Sequence, residues 1–237
     1  MKSLASLFAP WLPPERFHDA REVGYRMAKR ACDVALSTAG ILATAPIMVG
    51  AAVAIRATMG GPVLFRQPRP GYLGRSFMFY KFRTMRHLAE GEDAVESHGA
   101  RVTNLGRFLR KSSIDELPNL FNVLKGDMSL VGPRPLLLEH VPRYSLEQFH
   151  RHDVLPGITG WAQINGRNDV SWETKFAHDL WYVENRSLLL DAKILYLTVY
   201  NVLFSKGVTP DGYPPMPDFR SDALHRASSE TQPSPSP

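Results

Sequence analysis

Cysteine is almost missing from this 237-residue chain: Cys32 is the only one. A disulfide framework and a cysteine-rich metal centre are thereby excluded. Beside an apolar run, a single thiol is expected to be buried and inert, and a reducing, cytoplasmic setting fits it. Acidic residues are the minority charge, 23 against 28 Lys and Arg, for a formal net charge of +5. That sign favours anionic partners, whether nucleic acid, acidic lipid or phosphorylated substrate. Several catalytic signatures are also missing: no Walker-type glycine loop, no His-Glu-x-x-His, no Gly-x-Ser-x-Gly and no Asp-x-Asp of metal-dependent nucleotide-sugar transferases. The eight histidines are scattered, and His150 and His152 are expected to be solvated rather than ligating. No secretory signal or internal repeat is visible.

What the chain does have is an apolar run. From Val34 to Ile55, "VALSTAGILATAPIMVGAAVAI", 22 residues pass without a charge. About 20 suffice to span a bilayer. Pro46, however, divides the run into 12 residues before it and 9 after. At about 1.5 Å per residue these legs reach roughly 18 and 14 Å, enough for one leaflet each. Both flanks are basic, with Arg26, Lys29 and Arg30 on one side and Arg56, Arg66 and Arg69 on the other. A spanning helix carries its Lys/Arg excess on one side. The favoured reading is a re-entrant helical hairpin that enters and leaves by one face, ahead of a kinked spanning helix or a buried soluble one.

Beyond the run, "GPVLFRQ" and "RSFMFYKFRTM" read as two strands joined by "PRPGYLG". Alternation puts Phe77, Phe79, Lys81 and Arg83 on one face, and the two cations there could be a solvated rim or point at an anion. "RVTNLGRFLRKSS" reads as a short helix with Leu105, Phe108 and Leu109 inward. "DELPNLFNVLKG" reads as a second helix stopped by Gly126, followed by the turn segments "GDMSLVGPRP" and "PGITGWAQINGRND". Helices are expected in "WETKFAHDLWYVEN" and "SLLLDAKILYLTVYNVLF", while Arg143 and Arg151 lie in a stretch read as outward-facing. The final "ASSETQPSPSP" is a Ser/Pro tail that cannot build a core. The fold class is α+β, mostly helical with a small β-hairpin.

Asp115 and Glu116 stand side by side where the second helix begins. Pro118 is tolerated only in a first turn, which places Asp115 at the helix N-terminus. There the dipole favours an ionised carboxylate, and backbone N–H groups can receive a phosphate. A carboxylate in that position suits nucleophilic attack on phosphorus, with Arg110, Lys111 and Arg134 nearby in sequence to screen the charges and Glu116 as a holder of Mg²⁺. The alternative, a simple N-cap with a first-turn acid, explains the two carboxylates but not their cationic surroundings.

Six segments in order, "KRACDVALSTAGILATAPIMVGAAVAI", "GPVLFRQPRPG", "FMFYKFRTM", "SSIDELPNLFNVLKGDMSLVGPRP", "PGITGWAQINGR" and "LLLDAKILYLT", resemble the small monotopic polyprenyl-phosphate phosphoglycosyl transferases of bacteria. The resemblance runs from about Lys29 to Phe219. It implies transfer of a sugar 1-phosphate from a UDP-sugar to undecaprenyl phosphate with release of UMP, through a covalent phosphosugar–aspartate, with Mg²⁺. The setting implied is the cytoplasmic face of the bacterial inner membrane, at the first membrane step of glycoconjugate assembly, with downstream glycosyltransferases as further partners and no nucleic acid. The family's Asp-Glu dyad falls on Asp115, the nucleophile, and Glu116, the metal-associated partner. Its cations fall on Lys81, Arg110, Arg134 and Arg167, and a further acid on Asp191. Its re-entrant helix breaks at Ser-Pro, which here reads Ala45-Pro46. The organisation this implies is an extension over 1–28, a re-entrant membrane hairpin over 29–57, a cytosolic catalytic domain over 58–219 and a tail over 220–237. A phosphatase or nucleotide-sugar pyrophosphatase using the same carboxylates, and a basic membrane scaffold without activity, are the competing readings.

Overall fold

A computed structural model describes residues 20–88, 98–166 and 171–204. Most of the expected 1–28 extension and all of the 220–237 tail lie outside the described residues.

The chain opens with α1 (Ala20–Met59), a helix of 40 residues with Pro46 inside it. It begins earlier than the expected hairpin and continues through Ala45-Pro46, where the sequence suggests a break. A proline withdraws one backbone donor, yet the helix continues past it to Met59. Along α1 the residues turned towards the rest of the protein are Asp33, Ser37, Gly40, Thr44, Met48, Ala51, Ile55 and Met59. Their spacing of three and four is one face of a helix. Leu36, Leu42, Ile47, Val49 and Val53 on the other faces are exposed. So is Cys32, contrary to the expected burial. Among the described residues α1 is the one helix long and apolar enough to cross a membrane.

Both ends of α1 are fastened. Near its start Lys29 pairs with Asp191 at 2.7 Å, and Arg30 donates to the Leu124 carbonyl at 2.8 Å. Asp33 accepts from the Leu130 backbone N–H at 3.0 Å. At the far end Arg83 donates to the carbonyls of Met59, Gly60 and Gly61 at 2.5, 2.6 and 2.9 Å. The helix thus ends on a guanidinium that satisfies carbonyls left without intrahelical donors.

Strands β1 (Leu64–Pro70) and β2 (Ser76–Phe82) form the expected antiparallel hairpin. Helix α2 (Asn104–Lys111) follows, capped by Thr103, whose hydroxyl accepts from the Gly106 N–H at 2.9 Å. Gly106 is obligatory, since a Cβ there would lie 1.9 Å from the Thr84 carbonyl oxygen. Leu109 is buried as the apolar spacing predicts, but Phe108 is exposed. Helix α3 (Asn119–Lys125) ends at Gly126, whose φ of 89° is the left-handed C-terminal stop.

The two turn segments hold more order than expected. Ser129–Val131 (β3) pairs in parallel with Gly157–Thr159 (β4), a connection the Gly/Pro content conceals. Helices α4 (Trp161–Asn165), α5 (Trp172–Asn185) and α6 (Leu188–Leu203) complete the chain. Ser171 and Ser187 cap the last two by accepting from Thr174 and Leu190 N–H, so both expected helices are found. One core packs Phe79, Val123, Met128, Leu130, Val131, Tyr182 and Ile194. A second packs Ala51 and Ile55 of α1 against Phe82 and Leu109. The architecture is mostly helical with small sheets.

Candidate active site

The dyad lies between α2 and α3. Ser113 has φ 57°, a left-handed conformation that costs a non-glycine residue on the order of 1–3 kcal/mol. It turns the chain into a single 3₁₀ turn, Ile114–Glu116, that carries both carboxylates. Here the expectation needs correcting. Asp115 is one turn ahead of the α-helix, whose N-cap is Pro118. The reason is Pro118 itself, which fits best just before or within a first turn.

The two carboxylates live in different surroundings. Glu116 is held by a guanidinium fork: Arg134 Nη1 donates to Oε2 at 3.1 Å, and Nη2 reaches Oε1. Such two-pronged pairs are the strong, oriented kind. Burial pushes the Glu116 carboxyl up, but Arg134 outweighs it and holds the group below its ordinary value. The Glu116 charge in turn holds Arg134 above the usual guanidinium range. Asp115 is 5% exposed, and no group among the described residues hydrogen-bonds its carboxylate. Burial, and then the neighbouring Glu116 charge, push it up to about 6, against the opposing pull of Lys81, Arg134 and Arg110.

Those three cations come from separate elements. Lys81 sits on β2, and burial holds its amine below the ordinary lysine value against the pull of Asp115. Arg110 ends α2, donates from Nε to the Thr84 hydroxyl at 2.9 Å, and is lowered by burial. Arg134 follows β3. The structure therefore brings together Lys81, Arg110, Asp115, Glu116 and Arg134. Arg167 lies outside the described residues. Asp191 is spoken for elsewhere: besides Lys29 it accepts from the hydroxyls of Tyr182 at 2.7 Å and Tyr25 at 3.3 Å, joining α1, α5 and α6.

Of the two cations that alternation placed on one strand face, Lys81 faces the dyad and Arg83 caps α1. Arg151, expected outward, is fully buried: it pairs with Asp179 at 2.6 Å and donates to the Arg134 carbonyl at 2.7 Å. It thereby braces the backbone of the residue that grips Glu116. Arg143 is half-buried rather than outward. His152 is buried too, with Nδ1 3.1 Å from the Gly71 carbonyl, and burial drives its imidazole down to about 3. The pair Arg151–Asp179 left no sequence signal, because its members are 28 positions apart.

With this geometry established, comparison with known proteins decides the family. The profile of the bacterial sugar transferase family matches residues 24–205. The chain belongs to that family. Relatives include the sugar transferase EpsL of Bacillus subtilis, 51% identical over 180 residues, covering 76% of this chain and 89% of EpsL. ExoY of Rhizobium meliloti, an exopolysaccharide production protein, is 36% identical over 227 residues, covering 87% of this chain and 99% of ExoY. The UDP-glucose:undecaprenyl-phosphate glucose-1-phosphate transferase of Escherichia coli is 40% identical over 191 residues, 76% of this chain but 41% of that protein. This sugar transferase thus spans most of EpsL and ExoY and about two fifths of the E. coli enzyme.

Proposed function

We propose that this transferase moves a sugar 1-phosphate from a UDP-sugar to undecaprenyl phosphate in two steps through Asp115. The observation that carries this is the inequality of the dyad. Glu116 is locked in the Arg134 fork, whereas Asp115 has no hydrogen-bond partner among the described residues and is ringed by Lys81, Arg110 and Arg134. A free anionic oxygen among cations can meet a diphosphate; a clamped one cannot leave its clamp. In the first step an Asp115 oxygen attacks the sugar-bearing phosphorus. The new bond is Asp115 oxygen to phosphorus, and the bond broken is the bridging P–O, whose electron pair leaves with UMP. In the second step an oxygen of the lipid phosphate attacks the same phosphorus and the Asp115 carboxylate is released. The product is polyprenyl-diphosphate-sugar.

Two adjacent carboxylates suit Mg²⁺, which takes one or two protein carboxylates and completes its shell from substrate phosphates and water. Glu116 would hold it through the lone pairs its oxygens do not give to Arg134, with Asp115 beside it. When bound it neutralises phosphate charge and orients the diphosphate.

The membrane setting proposed is monotopic, at the cytoplasmic face of the bacterial inner membrane, with α1 kinked at Pro46 so that it enters and leaves by one face. What supports it is that both ends of α1 are tied to the same globule, at Asp191 and at Arg83. The relatives named as undecaprenyl-phosphate sugar phosphotransferases support the acceptor.

The test is intact-mass analysis after exposure to UDP-glucose or UDP-N-acetylgalactosamine, before any lipid is added. Wild type should gain a phosphosugar and lose it on addition of undecaprenyl phosphate; Asp115→Asn should gain none. UMP release with no adduct and no dependence on lipid would instead mean hydrolysis.

A further inference from the structure

Among the described residues Arg69 is a cation without an anion. In the hairpin register Phe65 faces Lys81, Gln67 faces Phe79 and Arg69 faces Phe77, so these six side chains share one face. Lys81 and Arg69 occupy its two ends, four strand positions or about 13 Å apart along the backbone. The Arg69 guanidinium stands 5.8 Å from the Phe79 ring centroid, and Nη2 donates to Gln67 Oε1 at 2.8 Å. Its Nε is buried without a hydrogen-bond partner. Among the described residues no carboxylate forms an ion pair with it; Glu139 acts on it only from a distance. Burial first, and then the charge of another cation, Arg134, bring Arg69 down to about 10.

Burying a charge beside a like charge is costly unless an opposite charge completes the group. Arg134 has spent its fork on Glu116, and Lys81, Arg110 and Arg134 already face Asp115. The charges that act most on Asp115 are Glu116, Lys81, Arg134 and Arg110, whereas Arg69 stands at the far end of the hairpin face from Lys81 and interacts with Arg134. An anion lodged between Arg69 and Arg134 would sit next to the phosphorus that Asp115 attacks, without being that phosphorus.

We propose that Arg69 binds the leaving phosphate of the nucleotide sugar, with Arg134 adding its charge and the N–H donors that it does not give to Glu116. This rests on the two-step reaction above. As the bridging P–O bond breaks, its electron pair moves onto the departing phosphate, which gains one negative charge. A guanidinium already fixed at that place stabilises the charge as it develops. The Gln67 hydrogen bond and the Phe79 ring hold the guanidinium in position.

The two half-reactions separate this role from a general one. UMP has left before the lipid phosphate arrives, so Arg69 should matter in the first half only. In single-turnover intact-mass experiments with UDP-glucose, Arg69→Met, which keeps the apolar stem over Phe79, should slow adduct formation by about tenfold to a hundredfold. Discharge of preformed adduct by undecaprenyl phosphate should stay within about twofold of wild type. UMP, measured by calorimetric titration, should bind at least about tenfold more weakly, and Arg69→Lys should recover part of both losses because it restores charge without the fork. Equal slowing of both halves, or unchanged UMP affinity, overturns the proposal. If wild type forms no adduct, the covalent reaction is what fails, and the UMP titration still judges the Arg69 site.

Discussion

Replacing Asp115, the proposed nucleophile, should make the protein more stable. Burial and the Glu116 charge raise the Asp115 carboxyl from an ordinary 3.8 to about 6. Between those values the folded protein keeps a proton that the unfolded chain has released. The free energy of unfolding therefore falls as pH rises from about 4 to about 6, and stays lowered above that. At about 1.36 kcal/mol per pH unit, the ionised carboxylate costs the fold about 3 kcal/mol at neutral pH. Asparagine has the same shape and cannot ionise. Asp115→Asn should thus match wild type near pH 4 and exceed it by about 3 kcal/mol at pH 7–8. For a chain of this size that is a rise of about 6–12 °C in Tm, readable by scanning calorimetry in detergent micelles. Adduct formation should vanish at the same time. A variant equal to or less stable than wild type at pH 8 would refute the idea that Asp115 is held ionised against its surroundings. A gain that persists unchanged at pH 4 would assign it to packing instead of charge.

Other outcomes follow from the same geometry. Lys81→Ala and Arg110→Ala should each lower kcat/KM by about tenfold to a hundredfold, or about 1.4 to 2.7 kcal/mol of barrier, while exposed Arg75→Ala should leave the rate near wild type in the same UMP-release assay. Breaking the buried pair with Arg151→Ala should cost about 3–5 kcal/mol by stranding Asp179, seen as a fall in Tm, whereas replacing both partners by apolar residues should recover much of the loss. Single cysteines at exposed Met27 and Thr174, in a Cys32→Ser background, should react with an impermeant thiol reagent only from the cytoplasmic side of membrane vesicles; periplasmic labelling of position 27 alone would indicate a spanning helix.

The hairpin and helices α2, α3, α5 and α6 could be read from the sequence because their apolar residues repeat at two or at three to four, between turn and cap residues. The paired segments Ser129–Val131 and Gly157–Thr159 could not, since three residues carry no period and Gly/Pro turns surround them. The cations divided the same way. Arg110 and Arg134 stand near the dyad in sequence, and Lys81, left open by strand alternation, was placed with them only by the family resemblance, whereas Arg69 lay next to the apolar run and read as a membrane flank. The hairpin register turns Arg69 onto the face that carries Phe79 and Lys81, and Arg134 is among the charges acting on it there. Arg151 read as outward because a buried arginine is recognisable only by its partner, and Asp179 belongs to another element.

Cys32 and Phe108 went wrong for one shared reason: an apolar residue was assumed to face a protein core. In α1 the assumption fails systematically. The inward face of its first half carries Asp33, Ser37, Gly40 and Thr44, which are small or polar, while the large Leu36, Leu42, Ile47, Val49 and Val53 face away from the protein. In water this arrangement would leave a broad apolar surface exposed. In lipid it is the expected one: large apolar side chains gain nothing by leaving hydrocarbon, and contacts between elements go to small residues that let backbones approach and to polar residues that hydrogen-bond. Gly40 shows the close approach, with Leu120 of α3 at 3.4 Å from where its Cβ would be, and Asp33 shows the hydrogen bond. Because α3 follows directly on the turn that carries Asp115 and Glu116, the small and polar face of α1 that packs against α3 also fixes the position of the dyad relative to α1.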